Sequence, residues 1–165
     1  MIQRIQSLYL FMVFAINALL LITNPIYAEF HFKDELQVTM IVKQFINSFT
    51  TLANGNNPLV DYKLLNILLM GLIGIGSITA IFLFNRRKIQ YKLVWILVAV
   101  NALFVAVLWF DYYLVTVSNP QGPALVSSMI GIPFVWPVVM LILTTLALMG
   151  IRKDMKILSS MDRIR

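Results

Sequence analysis

Four long apolar stretches, each bounded by polar residues, dominate the hydrophobic pattern of the chain. They cover residues 8–28, 64–84, 93–113 and 129–151. Asp111 is the single charged residue within them. A helix of about 20 residues reaches about 30 Å, which is the thickness of the hydrocarbon core of a bilayer. The pattern therefore predicts an all-α membrane protein, a bundle of four transmembrane helices, as one integral membrane domain over residues 1–165.

The first apolar stretch has an alternative interpretation as a cleaved secretory signal. Arg4 precedes it, and residues 26–28 (IYA) would serve as a weak cleavage site. The apolar run is longer than the 7–15 residues, roughly, of a usual signal core. We therefore expect an uncleaved first span.

The polar segment between the first two spans, residues 29–63, contains two competing patterns. Residues 30–33 and 36–40 alternate between apolar and polar side chains, which is typical of a strand. Ile41, Phe45, Phe49 and Leu52 instead recur at helical spacing, so both interpretations stay open. The segment carries too many apolar residues to remain disordered. It is expected to form a small, partly β cap on the outer surface.

The second outer segment, residues 114–128, is shorter and polar. Four spans with a large first outer loop resemble the layout of tetraspan proteins such as claudins, in which a small sheet caps the bundle. This is an analogy of fold, and fold alone does not imply function.

Two prolines and a basic tail shape the last part of the chain. Pro133 and Pro137 fall near the start of the fourth span, so its helix either begins late, near Pro133, or is kinked there. Residues 152–165 combine basic side chains with apolar ones at helical spacing. This tail is predicted to form a short helix lying on the membrane surface.

The charge pattern sets the expected orientation. The turn at residues 85–92 holds four cations and no acid. With both termini inside, ten Lys and Arg residues would be cytoplasmic, against three outside at Lys33, Lys43 and Lys63. Positive charge concentrates in cytoplasmic loops, so both termini are predicted to be cytoplasmic. These ten cations form the candidate face for binding anionic lipid or an acidic partner, and this surface is termed the basic face. They are Arg4, Arg86, Arg87, Lys88, Lys92, Arg152, Lys153, Lys156, Arg163 and Arg165.

Composition narrows the chemistry further. The chain is 60% hydrophobic and only 12% charged, whereas soluble domains carry about 25% charged residues. There is no cysteine, which excludes disulfides, thiolate metal sites and thiol nucleophiles. The formal charge of +6 does not indicate nucleic acid, because the cations lie at helix ends. The predicted partners are membrane lipids and other membrane proteins, and no cofactor is expected.

Four polar residues within the predicted spans are candidates for intramembrane contacts: Asn17, Asn101, Thr144 and Asp111. An amide cannot find hydrogen-bond partners in hydrocarbon, so these groups are expected to face the bundle interior. They are interpreted either as interhelical hydrogen bonds or as contacts for a substrate or ion. Asp111 lies near the outer interface, where its carboxylate is expected to reach the lipid headgroups; coupling to a proton or cation is the alternative.

A short internal similarity links the first and third spans. Residues 15–19 (AINAL) resemble residues 99–103 (AVNAL), and both lie about midway along their spans. A parallel repeat of two helical hairpins would produce this pattern. Chance is the alternative in a sequence so rich in Ala and Leu.

His31 is the single histidine. One imidazole without cysteine cannot ligate a haem on both faces. A zinc site with Asp34 and Glu35 would require a helical segment, yet the pattern there is extended. We expect an ordinary surface histidine and no metal site.

The two ends of the chain resemble those of a known family. The motifs are MIQRIQ at residues 1–6, IRKD at 151–154 and DRIR at 162–165. They resemble a bacterial family of small four-span inner-membrane proteins of unknown function. The resemblance implies an integral inner-membrane protein and brings no catalytic residues.

The sequence favours a non-catalytic function. A structural or accessory subunit, or an assembly factor, of a larger envelope membrane complex is the first expectation. The alternative is a small transporter or channel with a polar path lined by the four intramembrane candidates. An embedded enzyme would need a cavity with converging titratable groups, and none is visible in the sequence.

Overall fold

Four long helices form the body of the protein. The computed structural model describes residues 2–33, 39–45, 49–52, 63–117 and 124–161. Within these ranges the helices are α1 Ile2–Thr23, α2 Lys63–Phe82, α3 Arg87–Val117 and α4 Val135–Met161. Each contains a segment long and apolar enough to cross a membrane. The predicted four-span architecture is therefore confirmed.

The helices pack as a ring in chain order. α1 contacts α2 and α4, and α3 contacts the same two helices, so α1 and α3 lie diagonally across the bundle. A short 3-10 helix, Leu83–Asn85, joins α2 to α3. The end of the bundle that holds this helix, the start of α1 and the end of α4 is termed the turn end. The opposite end carries a β-sheet and is termed the sheet end.

The bundle is apolar both inside and outside. Ile22 and Phe82 are among its most exposed side chains, at 84% and 76%. Such exposure suits contact with lipid tails and would be costly in water. The buried apolar side chains fall into two clusters. The sheet-end cluster includes Met70, Ile73, Phe104, Leu108 and Met140, and the turn-end cluster includes Leu10, Ala80, Val94, Leu97 and Ile151.

A layer of polar residues separates the two clusters on three helices. Ser77 on α2, Asn101 on α3 and Thr144 on α4 are each fully buried. Each donates to the carbonyl oxygen four residues earlier in its own helix, at 2.7 Å from Ser77 and 3.0 Å from the other two. Back-bonding of this kind satisfies a polar donor without a partner helix.

The similarity between the first and third spans extends to burial. Residues Gln6, Leu10, Val13, Asn17 and Leu20 of α1 are buried, as are Gln90, Val94, Leu97, Asn101 and Phe104 of α3. The spacing is the same on both helices, and the two amide types recur at matching positions. This agreement supports the parallel repeat of two helical hairpins.

A four-stranded antiparallel sheet covers the sheet end. Its strands are β1 Ile26–Lys33, β2 Thr39–Phe45, β3 Phe49–Leu52 and β4 Ala124–Ile130, in the order β3-β2-β1-β4. β2 and β3 occupy the stretch that admitted a helical interpretation, so the helix over residues 41–52 is wrong. The helical spacing of a few apolar residues does not outweigh the hydrogen bonds that β2 forms with β1.

The first span is shorter than predicted. α1 ends at Thr23, and residues 26–28 belong to β1 instead. Asn24 adopts a positive φ of 41° and donates its N–H to the Leu20 carbonyl oxygen at 3.0 Å. Asn tolerates this left-handed conformation, and Pro25 prevents the helix from continuing. The cap at Asn24 therefore turns the chain from the bundle into the sheet.

The fourth span begins later than predicted. Residues 129–130 belong to β4, a 3-10 helix follows at Ile132–Phe134, and α4 starts at Val135. Of the two predicted alternatives at Pro133, the late start is therefore confirmed. α4 continues without a break to Met161, so the separate surface helix predicted for the tail is wrong as far as this residue. Residues 162–165 lie outside the described part.

Candidate functional site

The strongest candidate site is a buried carboxylate at the sheet end. Asp111 lies on α3, within one turn of the end of its membrane-spanning segment at Tyr113. The side chain is only 2% exposed. The expectation that it reaches the headgroups is therefore wrong. The segment after α1 does not stand apart from the helices, since Tyr27, Ala28 and Phe30 of β1 belong to the buried sheet-end cluster.

Two further polar side chains from different elements lie near this carboxylate. The Asn66 amide of α2 lies beside Asp111 and is 2% exposed. Tyr27 of β1 is fully buried and lies within electrostatic range of the same carboxylate. Burial, together with the negative charge of Asp111, raises the pKa of the Tyr27 hydroxyl above its ordinary value of 10.0. This hydroxyl therefore keeps its proton.

Hydrogen bonding at this site is incomplete. Among the described residues, neither oxygen of Asp111 has a hydrogen-bond partner of ordinary geometry, although the Asn66 amide lies near enough to interact with it, and the Tyr27 hydroxyl has no partner either. Buried polar atoms are bonded in the great majority of cases, and each exception in a native structure needs a cause. Three such atoms in two neighbouring side chains make this the least satisfied polar region in the described part of the chain.

An aromatic cluster lies at the same level of the bundle. Trp109 and Tyr112 flank Asp111 on α3, and the Trp109 ring meets Phe134 edge-on at 5.5 Å between centroids. Tyr27 stacks on Phe134 at 6.2 Å, and Phe30 contacts Tyr112 at 5.4 Å. These rings place apolar surface at the same level of the bundle as the Asp111 carboxylate, which lowers the local dielectric constant.

The other intramembrane candidates lie deeper and are bonded to backbone. The Asn17 amide donates to the Met70 carbonyl oxygen on α2 at 2.9 Å. A Cβ placed on Gly74 would lie 2.8 Å from the same amide, so this glycine gives Asn17 its access to α2. Asn17 is thus an interhelical contact, whereas Asn101 and Thr144 bond to their own helices.

The structure does not join the four candidates into one polar row. Asp111 and Asn101 are ten residues apart on α3, about 15 Å along the axis. The buried apolar side chains of Phe104 and Leu108 lie between them on that helix. A continuous polar path is therefore not formed by these four residues alone.

The turn end contains polar contacts that sequence reasoning missed. The Gln6 amide of α1 donates to the Asp154 carboxylate of α4 at 2.8 Å, and both are buried. The Gln90 amide of α3 donates to the Ala80 carbonyl oxygen of α2 at 3.0 Å. Gln6 and Gln90 lie within α1 and α3 but before the apolar stretches of these helices. Their burial therefore had no sequence signal beyond their matching positions.

The predicted basic face gathers at the turn end. Arg86, Lys88 and Lys92 are exposed near the start of α3, and Arg87 is half-buried. Residues 85–89 line a shallow groove of about 560 Å³. Arg152, Lys153 and Lys156 are exposed near the end of α4, at the same end of the bundle. The side chain of Arg4 and residues Arg163 and Arg165 lie outside the description.

The histidine lies in the sheet. His31 is half-buried on β1, opposite Ile41 of β2 and Ser127 of β4. Asp34 and Glu35 lie outside the described residues. Among the residues that are described, no group of three or more His, Asp or Glu side chains is placed to hold a metal ion.

Residues 2–164 match the model of a family described as a domain of unknown function, DUF4293. The chain belongs to this family. The match covers nearly the whole length, so all four helices and the sheet are part of the family's domain. No curated protein and no solved structure matches the chain.

Proposed function

We propose that this protein is a non-catalytic accessory subunit or assembly factor of a larger membrane complex, held in the inner membrane of a bacterium with both termini in the cytoplasm. The observation that carries the proposal is the concentration of exposed cations at the turn end. Four apolar helices anchor the protein, and the basic face is the surface that meets the cytoplasm. Such a face attracts acidic protein surfaces and anionic headgroups.

The backbone of the charged turn is ordered, which supports a role in binding a partner in addition to a role in setting the topology. The Arg86 carbonyl oxygen accepts hydrogen bonds from the N–H groups of Ile89 and Gln90 at 2.9 and 3.0 Å, which fixes the first turn of α3. The side chains of Arg86 and Lys88 are therefore presented from an ordered backbone. An ordered cationic surface loses less entropy on binding than a flexible one.

Site-specific photocrosslinking tests this proposal. A photoreactive residue is placed at Lys92 on the basic face, and a control is placed at Ile75, which is 68% exposed in the middle of α2. We expect a protein adduct of defined mass from position 92 and lipid adducts from position 75. Lipid adducts alone from both positions would contradict the subunit proposal.

A small transporter or channel is the second candidate, favoured by the buried carboxylate of Asp111. The apolar layer formed by Phe104 and Leu108 counts against a continuous path. Flux of ions or small solutes into vesicles containing only this protein would support transport. Vesicles that remain impermeable to these solutes under all conditions would contradict the transport function.

A further inference from the structure

The ionised carboxylate of Asp111 needs a compensating positive charge, and protonation is the other way to remove its buried charge. It is 2% exposed, and neither oxygen accepts a hydrogen bond of ordinary geometry from the described residues. The Asn66 amide lies close enough to interact with it, but an amide carries no net charge. An unpaired carboxylate in an apolar interior is among the most costly groups to bury. Among the described residues no Lys or Arg forms a hydrogen bond with either of its oxygens. Compensation of the ionised form is therefore left to a group outside these side chains, such as a bound cation.

The atoms near the carboxylate define the kind of group that fits. The Tyr27 hydroxyl oxygen is buried and has no hydrogen-bond partner in the described part. Asn66 adds an amide, whose oxygen is a further ligand of the same type. Carboxylate, hydroxyl and amide oxygens are hard ligands, which suit hard cations and not soft or borderline metals.

Charge balance selects among the hard cations. The site contains one carboxylate, because the Tyr27 hydroxyl remains protonated. A monovalent ion neutralises it, whereas a divalent ion would leave one positive charge buried and unpaired at a large cost. The arrangement therefore favours an alkali cation over calcium or magnesium.

We propose that Asp111 and Tyr27, with Asn66 beside them, form a binding site for a monovalent alkali cation at the sheet end of the bundle. The three residues come from α3, β1 and α2, so a cation bound here ties the sheet to two helices. The site lies within one turn of the end of the membrane-spanning segment of α3. Binding to the folded protein alone stabilises it by mass action.

The test is thermal unfolding of the full chain in lipid nanodiscs at fixed pH and ionic strength. Sodium, potassium or lithium chloride replaces N-methylglucamine chloride in steps, so only the small cation changes. At a cation concentration about 100 times the dissociation constant, we expect the midpoint to rise by about 5 °C. One alkali ion should act at lower concentration than the others.

Variants assign the effect to the site. Asp111→Asn should abolish the cation-dependent shift, and Tyr27→Phe should raise the concentration needed by about tenfold, as expected for the loss of one oxygen ligand. Asp154→Asn, the same change at the turn end, should retain the full response. Binding of radioactive sodium, or of radioactive rubidium as a substitute for potassium, is also measured directly on the wild-type protein, with unlabelled lithium as a competitor. This readout does not depend on the folding of a variant.

The proposal has clear contrary results. A wild-type midpoint that is unchanged across all three alkali ions, with no tracer bound, would overturn it. An equal shift in wild type and in folded Asp111→Asn would place the effect elsewhere and would overturn it too. A response to calcium that exceeds the response to every alkali ion would contradict the charge argument.

Discussion

Gln6 and Asp154 form a buried hydrogen bond of 2.8 Å that joins α1 to α4 at the turn end, across 148 residues of sequence. Asp154 is 8% exposed and Gln6 is 5% exposed. A hydrogen bond to a charged group that is shielded from water contributes about 1.5–3 kcal/mol. This pair therefore helps to hold the two terminal helices together.

Replacing either partner should destabilise the fold measurably. Gln6→Ala leaves the Asp154 carboxylate buried without its partner, and we expect a loss of about 2 kcal/mol in the free energy of unfolding. Asp154→Ala should cost a similar amount, and the double variant should cost less than the sum of the two. Arg152→Ala, an exposed neighbour, is the control and should change stability by less than about 0.5 kcal/mol. Strict additivity of the two changes would contradict a direct interaction.

Glycine at position 76 is predicted to be required for contact between α2 and α3. A Cβ at Gly76 would lie 2.6 Å from the Leu97 Cδ2 atom, whereas a Cβ at Gly71 meets nothing within 4 Å. Gly76→Ala should therefore cost about 1–3 kcal/mol through overpacking. Gly71→Ala is the matched control and should be neutral or mildly stabilising, since alanine favours the helix. Equal effects of the two changes on the unfolding midpoint would count against close packing at Gly76.

A hydrogen bond between Tyr112 and Ser128 should fasten the sheet to α3. Their hydroxyl oxygens are 3.0 Å apart, and Ser128 belongs to the edge strand β4. Tyr112→Phe and Ser128→Ala should each destabilise the protein by about 1 kcal/mol. Hydrogen exchange of the β4 amides is the most direct readout, because loss of the bond should speed it. Unaltered exchange in both variants would indicate that β1 alone holds the strand.

The predicted orientation is testable because the chain has no cysteine. Single cysteines introduced at Asn85 and Lys153 should react with an impermeant thiol reagent only when the cytoplasmic side is open. A cysteine at Ser127, which is exposed on the sheet side, should react in intact cells with a permeable outer membrane. The reverse pattern of labelling would contradict the predicted orientation.

The sequence predicted the helices well because their signal is local. A run of about 20 apolar residues must form a helix in lipid, since every backbone polar group needs an internal partner. The burial of Asn17 and Asn101 followed from the same argument. The place where each helix meets the sheet was predicted less well, because the cap at Asn24 and the late start near Pro133 depend on short turn residues within apolar runs.

The sheet and the carboxylate site were harder to predict because they depend on distant partners. The last two residues of β4, 129–130, were predicted to start the fourth span, and only the pairing of this strand with β1 shows that they belong to the sheet. Asp111 was predicted to be exposed because the residues near it in the fold, Tyr27 and Asn66, lie far away in the sequence. The contact of Gln6 with Asp154 had no local signal for the same reason.

The basic face can be tested apart from topology with a charge-conserving control. Changing Arg86, Arg87 and Lys88 to glutamine should weaken association with a partner, whereas Arg86→Lys, Arg87→Lys and Lys88→Arg should preserve it. Interaction energies between charged surfaces fall with screening, so rising salt should reproduce the effect of the neutral variant. Association that is the same in both triple variants would remove the docking role.

The most direct test of the proposed function is purification of the tagged protein from native membranes in several mild detergents, with identification of everything that remains bound. The accessory-subunit proposal predicts one or more membrane proteins in reproducible, fixed ratio, lost from the glutamine variant and retained by the charge-conserving variant. Recovery of the protein alone from every mild detergent, after crosslinking as well as without it, would contradict the proposal.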